Sequence, residues 1–237
     1  MSREFDALDD IIRCGSNNAI NTLWKTGLTV CAWIFPDSIG EGGVGARIAD
    51  KTAASSGDGG WAIRLVSVTN FGFFSGTSAS GLVIRNSSGA SVTTGGWTHV
   101  TATWTGTVVS TSIRLFSNGN ETAYTGDING TDAPDDDANR NLCIGNEGTT
   151  TARTFDGKIA FLQLYNRVMQ PTEIRNLVKY PGSVGEGLVG FWPLWGSSSV
   201  EPDYSGFQDN GVVTGAVRGN SDPPVNGIFQ VNSPGGF

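Results

Sequence analysis

The stretch from Phe155 to Tyr180 constrains the fold more than any other part of this chain. It opens with the turn dipeptide Asp156-Gly157 and continues as an apolar run from Lys158 to Tyr165. Because successive side chains of a strand alternate between its two faces, a run that is apolar on both faces, Gln163 apart, is typical of a strand covered on both sides. The pattern predicts a central strand.

Strict alternation also predicts which side chains of this strand share a face. One face is expected to carry Ile159, Phe161 and Tyr165. The other face is expected to carry Ala160, Leu162 and Leu164.

A short helix is predicted to follow, from Pro171 to Lys179. Proline suits the first turn of a helix, and Glu173 close behind it complements the positive end of the helix dipole. Tyr180 ends the helix, because the residue before Pro181 is pushed out of helical geometry.

These residues carry a resemblance. An aromatic-Asp-Gly turn, an apolar strand ending in Tyr-Asn-Arg and a Pro-x-Glu-Ile helix resemble the closing signature of the laminin-G-like jelly rolls of the concanavalin A-like lectin/glucanase superfamily. The opening FDALDDII is similar to another family motif, with Ala7 in the glycine position, and residues 27–36, 95–106 and 110–121 are similar to further family strands. The resemblance implies an all-β, two-sheet antiparallel jelly-roll sandwich with one short helix near 171–179.

The order of the segments differs from the family's commoner order. Residues 187–217 resemble the family's first segment, yet here they follow the helix, so the chain looks circularly permuted. We expect a single domain over 1–217, closed within one chain, with the segment around Trp192 paired to the opening strand; the alternative is that this segment completes a neighbouring subunit. Residues 218–237 are expected to form an extended Pro/Gly-rich arm, lying on this sandwich or on a partner.

Composition excludes several partners and predicts a compartment. A net charge of −7 argues against nucleic acid, which requires a basic surface. No apolar run reaches the roughly 20 residues that cross a bilayer, and the polar MSREFDALDD does not resemble a signal peptide. Three cysteines cannot all pair with one another, so we expect buried thiols in a protein that folds in a reducing compartment.

Catalysis is not expected. A retaining glycosidase needs two carboxylates about 5 Å apart, and the strands carry few carboxylates, so no close pair lining a groove is predicted. His99, the only histidine, is interpreted as a structural residue beside Trp97. We therefore expect a protein that is not an enzyme and requires no cofactor.

An acidic loop is the candidate metal site. Asp132, Asp135 and Asp137 lie within residues 130–140 and offer the oxygen ligands that calcium prefers, and many jelly rolls of the family bind calcium. The alternative is a solvated acidic loop without an ion. Asp203, in the sequence Asp-Tyr-Ser-Gly, is interpreted as a turn-forming residue.

Aromatic residues near a strand end are the candidate ligand site. Trp33, Trp61, Trp97 and Trp104 fall inside alternating strands and are expected in the core. Trp195 precedes a Gly-Ser run and is the predicted sugar-binding aromatic, together with Tyr204.

Two functions fit these features. The first is a non-catalytic adhesion or interaction protein on a virion surface, a capsid decoration or adhesion subunit of a bacteriophage. It would be made in the host cytoplasm, bind a capsid or other virion protein, form a homo-oligomer on the lattice and contact cell-surface glycan. The alternative is a secreted, extracellular carbohydrate-binding lectin module that uses calcium. Neither involves nucleic acid or a membrane.

Overall fold

A computed structural model describes residues 2–43, 45–53, 59–78, 81–150, 152–196 and 198–227. In chain order the strands and the helix are β1 (Arg3–Asp6), β2 (Ile11–Arg13), β3 (Leu28–Pro36), β4 (Arg47–Asp50), β5 (Trp61–Ser67), β6 (Asn70–Gly76), β7 (Leu82–Ser88), β8 (Thr98–Trp104), β9 (Ile113–Ser117), β10 (Asn120–Glu121), β11 (Ala123–Ile128), β12 (Cys143–Ile144), β13 (Asp156–Tyr165), α1 (Pro171–Lys179), β14 (Leu188–Trp192), β15 (Val200–Glu201), β16 (Gly211–Thr214) and β17 (Val217–Arg218).

The strands form two antiparallel sheets. Over the described residues, sheet A has eight strands in the order β10-β9-β8-β3-β13-β1-β17, with β14 also paired to β13. Sheet B has nine strands in the order β11-β7-β6-β5-β4-β12-β2-β16-β15. The predicted all-β, two-sheet antiparallel sandwich is confirmed.

The space between the sheets is filled by aromatic and branched side chains. Trp61 stacks on Phe73 with ring centroids 6.1 Å apart, and Phe73 contacts Trp104 at 5.6 Å. Trp192 is fully buried, and its indole N–H donates to the Asp209 carbonyl at 2.7 Å. Trp61 and Trp104 lie in this inter-sheet core, as expected. Trp33 is buried in a second cluster on the outer side of sheet A, and Trp97 is only partly buried.

The outer face of sheet A is covered by α1, whose bounds agree with the prediction. Ile174 and Leu177 are buried against a cluster that includes Phe161 and Phe191. Burying an apolar side chain of this size contributes about 1.5–3 kcal/mol. The helix therefore forms a third layer outside the two sheets. Within the described ranges, no helix combines the length and apolar character needed to span a bilayer.

A bulge in β13 corrects the predicted face pattern. The register with β3 shifts between Ala160 and Gln163, and Phe161 has a φ of 52°. Because an extra residue inverts the alternation after it, Ile159 shares the inter-sheet core with Leu162. Among the remaining residues of β13, the core also contains Leu164, while the outer cluster contains Ala160, Phe161 and Tyr165.

The last part of the chain closes the same sandwich. β14 pairs with β13, with Trp192 opposite Leu162, while β16 pairs with β2 and β17 with β1. The prediction that the segment around Trp192 pairs with the opening strand is wrong: β1 and β14 lie end to end along the same side of β13. The opening strands pair instead with β16 and β17.

The beginning of the predicted arm lies on its own chain. The backbone N–H of Asn226 donates to the Lys179 carbonyl at 2.9 Å, and Val225 packs against the cluster under α1. Residues 228–237 of the arm lie outside the described residues.

Candidate functional site

A cavity of about 540 Å³ lies at one end of the sandwich, where β1 and β3 end and β13 begins. Its walls also include Gly215 from the turn between β16 and β17 and Val217 at the start of β17. The wall carries six carboxylates, from Glu4, Asp6, Asp9, Asp10, Asp37 and Asp156. The strong negative charge of this cavity is its main chemical property.

The turn between β1 and β2 brings three of these carboxylates together. Ala7 adopts a φ of 63°, which reverses the chain after Asp6. The backbone N–H of Asp6 then donates to Asp10 Oδ2 at 2.9 Å, and that of Leu8 to Asp6 Oδ1 at 3.0 Å. One carboxylate oxygen from each of Asp6, Asp9 and Asp10 lies within 4.8 Å of the others.

Asp10 is the buried member of this group, with 5% of its surface exposed. Its backbone carbonyl accepts from Asn146 Nδ2 at 3.2 Å, which fixes the turn to the strand end after β12. Burial raises the pKa of Asp10 to about 6, and the charges of Asp6 and Asp9 add to that rise. The chain therefore holds a carboxyl group that ionises with difficulty beside two that are exposed.

One lysine partly balances the cavity. Lys158 Nζ lies 3.6 Å from Glu4 Oε1 and 3.7 Å from Asp37 Oδ2, and 4.6 Å from the centre of the Phe35 ring. One ammonium against six carboxylates leaves the wall negative. Oxygen ligands at this spacing suit a hard divalent cation, and the residues that would hold it are Asp6, Asp9 and Asp10.

The expectation that no carboxylates cluster in a groove is wrong. The three aspartates come from a turn, whereas the expectation concerned alternate positions on strands. The signal was present in the spacing Asp-x-x-Asp-Asp, because residues on both sides of a tight turn lie close together at the same end of the sandwich.

The acidic loop is arranged differently from the cavity. Asp132 is exposed and accepts from Thr131 Oγ1 at 2.8 Å, while Asp135 pairs with Arg140 at 3.2 Å. Asp137 is buried, accepts from the backbone N–H of Thr22 at 2.6 Å, and lies 3.8 Å from Lys51 Nζ. Two of the three predicted ligands already face cations of the chain. Calcium at Asp132, Asp135 and Asp137 stays a prediction.

The two predicted sugar-binding aromatics are neighbours. The ring centroids of Trp195 and Tyr204 lie 5.0 Å apart at an interplanar angle of 57°, and both side chains are half-buried. Tyr204 also contacts Phe191, with centroids 6.4 Å apart. Trp195 Nε1 is buried without a hydrogen-bond partner among the described residues. Binding of a glycan at this pair stays a prediction.

Asp203 and His99 have structural roles. The Asp203 carboxylate accepts from the backbone N–H groups of Phe191 and Ser205, both at 2.9 Å, as expected for a turn-forming residue. His99 is fully buried edge-on to Trp33 at 5.5 Å, and burial lowers its pKa to about 3. A neutral, inaccessible imidazole agrees with the structural interpretation.

Comparison with solved structures shows several similar folds. Over 94% of its length, the chain is similar to a candidate carbohydrate-binding protein from Bacteroides ovatus ATCC 8483, with a TM-score of 0.67 and 19% identity, and it spans 60% of that protein. A heptameric SAP-like pentraxin from Limulus polyphemus has a TM-score of 0.51 and 15% identity, covering 74% of this chain and 80% of the pentraxin.

A third similar structure is the CBM40 of the Ruminococcus gnavus IT-sialidase, solved with α2,3-sialyllactose. Its TM-score is 0.50 at 14% identity, and the similarity covers 75% of this chain and 97% of that domain. At these identities the likeness establishes the fold. Among curated proteins, no sequence matches this chain.

Comparison with protein-family models gives a match over residues 15–175, described as Concanavalin A-like lectin/glucanases superfamily. The matched region runs from the end of β2 into α1 and covers more than half of the chain. This chain belongs to the concanavalin A-like lectin/glucanases superfamily.

Proposed function

We propose that this protein is a non-catalytic adhesion module that binds carbohydrate. One observation carries the proposal: the sandwich is similar over 94% of its length to a candidate carbohydrate-binding protein. The sialyllactose-bound CBM40 gives further support. The chain spans 60% of the Bacteroides protein, so the proposal concerns this domain alone.

The chain offers two surfaces for a glycan. Trp195 and Tyr204 present half-buried rings, on whose faces the apolar side of a sugar could pack. The acidic cavity could hold a divalent cation at Asp6, Asp9 and Asp10, and a cation there would accept sugar hydroxyls as further oxygen ligands.

The geometry of the acidic cavity argues against catalysis. In a retaining glycosidase the two carboxyl groups flank the scissile bond from opposite sides. Asp6, Asp9 and Asp10 all belong to one turn, and Asp10 is buried with one oxygen occupied by a backbone N–H. We therefore expect no hydrolysis of the glycans that this protein binds. Turnover that Asp10→Asn abolishes would contradict this part of the proposal.

A glycan array tests the binding function. The full chain is applied with added calcium and, in a parallel arm, with EDTA. Binding in both arms supports a calcium-independent lectin, and binding with calcium alone supports a cation-bridged site. An array that is silent in both arms overturns the proposal. Trp195→Ala, with Trp97→Ala as the matched control outside the aromatic pair, then tests whether Trp195 is part of the site.

A second candidate function is a virion-surface subunit of a bacteriophage, favoured by the cysteines. Cys14, Cys31 and Cys143 are buried and free, and burial raises the pKa of each thiol. Three unreactive thiols suit a protein that folds in a reducing cytoplasm, where phage proteins are made. Co-sedimentation with capsids that lack the subunit tests this setting, and failure to bind them would exclude it.

A further inference from the structure

The outer face of sheet B carries an arginine pair in an unusual position. Arg47 in β4 lies directly opposite Arg64 in β5. Their guanidinium carbons lie 4.9 Å and 5.1 Å from the centre of the Phe74 ring, so both side chains share one face. Like charges directly opposite one another on a sheet destabilise it. Cation–π contacts with Phe74 and the Arg47–Asp50 ion pair offset part of this repulsion.

The two arginines on this ring differ in their acidic partners, and the nearby charge of Arg153 also acts on Arg64. Arg47 pairs with Asp50 at 2.8 Å, and Arg153 pairs with Glu147 at 3.3 Å. Over the described part of the chain, Arg64 forms no ion pair. Burial, and then the charges of Arg47 and Arg153, lower the pKa of Arg64 to about 10. In a chain with a net charge of −7, this is a local excess of positive charge.

Arg64 also has an unsatisfied donor, and an unsatisfied acceptor lies in the same row. Arg64 lies opposite Gly72 in β6, and Gly72 lies opposite Asn86 in β7. Within the described ranges, Arg64 Nε and Asn86 Oδ1 are both buried without a hydrogen-bond partner. A buried polar group left unpaired destabilises the folded state, and two such atoms lie in this row.

Gly72 lets the acceptor approach the donor. A Cβ at Gly72 would lie 2.2 Å from Asn86 Oδ1, so the amide oxygen lies directly over the glycine, on the side towards Arg64. The backbones of Arg64 and Asn86 are two strand spacings apart, about 10 Å. This distance is similar to the length of one or two sugar rings. Both side chains are half-buried, and the next residue of the row, Thr125 in β11, is exposed.

We propose that this row is a binding site for an acidic saccharide, in which the Arg64 guanidinium binds the sugar carboxylate and the half-buried Asn86 amide binds a sugar hydroxyl. The inference rests on the proposed carbohydrate-binding function and deepens it. A guanidinium on an aromatic ring is a favourable partner for a carboxylate, because its orientation is fixed before the ligand arrives. The ligand supplies the countercharge that Arg64 lacks.

The test uses pairs of probes that differ only in the carboxylate. Isothermal titration calorimetry of the full chain compares sialyllactose with lactose, and trigalacturonic acid with its methyl ester. We expect the acidic member of at least one pair to bind about tenfold more tightly or better, as for a hydrogen-bonded charge. The two pairs distinguish a sialic acid from a uronic acid as the source of the carboxylate.

Variants assign the preference to the row. Arg64→Met keeps the packing on Phe74 and should remove the preference, and Asn86→Ala should weaken binding of both members. Arg114→Met is the matched control, because Arg114 lies over Phe116 at the same 5.1 Å, on sheet A. Arg64→Lys keeps the charge without the buried Nε donor and should retain part of the preference. Melting curves establish that each variant is folded.

The outcomes separate the two proposals. Equal affinity for both members of each pair, or a preference that survives Arg64→Met, overturns the acidic-saccharide site and leaves carbohydrate binding in place. A protein that binds none of the four probes and is silent on the glycan array overturns both. A preference lost in Arg64→Met and kept in Arg114→Met supports the site.

Discussion

Ala7 occupies a backbone conformation that glycine adopts at no cost, with a φ of 63°, in the position where the family motif has glycine. The left-handed region costs a residue with a Cβ about 1–2 kcal/mol, and glycine loses part of that gain through the greater freedom of its unfolded chain. We expect Ala7→Gly to raise the free energy of unfolding by about 0.5–1 kcal/mol. Urea denaturation measures this change.

Ala123 provides the control for this substitution, since it lies exposed in strand β11. There glycine relieves no strain and only adds freedom to the unfolded chain, so Ala123→Gly should lower the free energy of unfolding by about 0.5–1 kcal/mol. If both substitutions destabilise the protein equally, the strain assigned to Ala7 is absent.

Asp10 predicts a pH dependence of stability. Its folded pKa of about 6 lies above the ordinary value of 3.8, chiefly through burial, so the folded state binds a proton more tightly than the unfolded state. The free energy of unfolding should therefore fall as pH rises from about 4 to about 6, because ionisation is easier in the unfolded chain. Asp10→Asn, which keeps an uncharged acceptor for the Asp6 N–H, should remove about 1–2 kcal/mol of this loss.

The control for Asp10 is Asp209, whose pKa is also raised to about 6 by burial and by Asp203. Asp209→Asn should remove a separate share of the pH dependence and leave that of Asp10 intact. Denaturation of both variants at about pH 4 and about pH 7 distinguishes the shares. An Asp10→Asn profile parallel to that of the unchanged protein would contradict the assignment.

At the scale of an element, an ion pair between Glu173 and Arg167 stabilises the first turn of α1. Glu173 accepts from both terminal nitrogens of Arg167, at 2.6 Å and 3.0 Å, and from the backbone N–H of Gln170 at 2.8 Å. The hydrogen bonds from Arg167 lower the pKa of Glu173. Glu173→Ala removes both the cap and the pair and should cost about 1–2 kcal/mol of unfolding free energy.

Glu173→Gln separates the cap from the charge. Glutamine can still accept from the Gln170 N–H, as in a capping box, so this variant should cost less than half as much as alanine. Circular dichroism during thermal unfolding measures both. Equal losses in the two variants would show that the charge, and not the cap, sets the helix start.

The strands and α1 were largely predictable because their signals are local. The bounds of α1 follow from Pro171 and from Pro181 beyond its end, and the strand from Leu28 to Pro36 from its apolar run. The bulge at Phe161 was not predictable, because it results from pairing with β3 on one side and with β1 and β14 on the other. A local pattern does not contain those partners.

The candidate sites depend even more on distant pairing. The acidic cavity joins the turn after Asp6 to Asp37, Asp156 and Gly215, which lie far apart in sequence. Arg64 and Asn86 become one row only through the register of β5, β6 and β7. The sequence identifies most of these residues as charged or polar, but their proximity follows from the register of the sheets.

At the scale of the whole molecule, the first and last described segments are joined. The backbone N–H of Gly219 donates to the Ser2 carbonyl at 2.9 Å, and Ser2 Oγ donates to the Ser221 carbonyl at 2.8 Å. Beside them, Arg3 forms a buried ion pair with Glu201 at 2.5 Å. The two ends of the described chain therefore meet at residues 2 and 221. The exposed connection between α1 and β14 is a position where new chain ends could be introduced instead.

This closure predicts that the chain can be permuted back to the family's commoner order. A variant that starts at Glu186, joins Ser221 to Ser2 through a few glycines and serines, and ends at Gly185 keeps every strand pairing, because the joined residues are already in contact. Closing so short a gap changes the loop entropy by only about 1 kcal/mol, so the permutant should melt within a few degrees of its control. That control is the natural order ending at Ser221, which also lacks the residues that follow.

A second permutant opened between Cys31 and Ala32 interrupts the central strand β3 and should not fold. If the first permutant stays unfolded while its control folds, residues 187–217 do not complete their own sandwich.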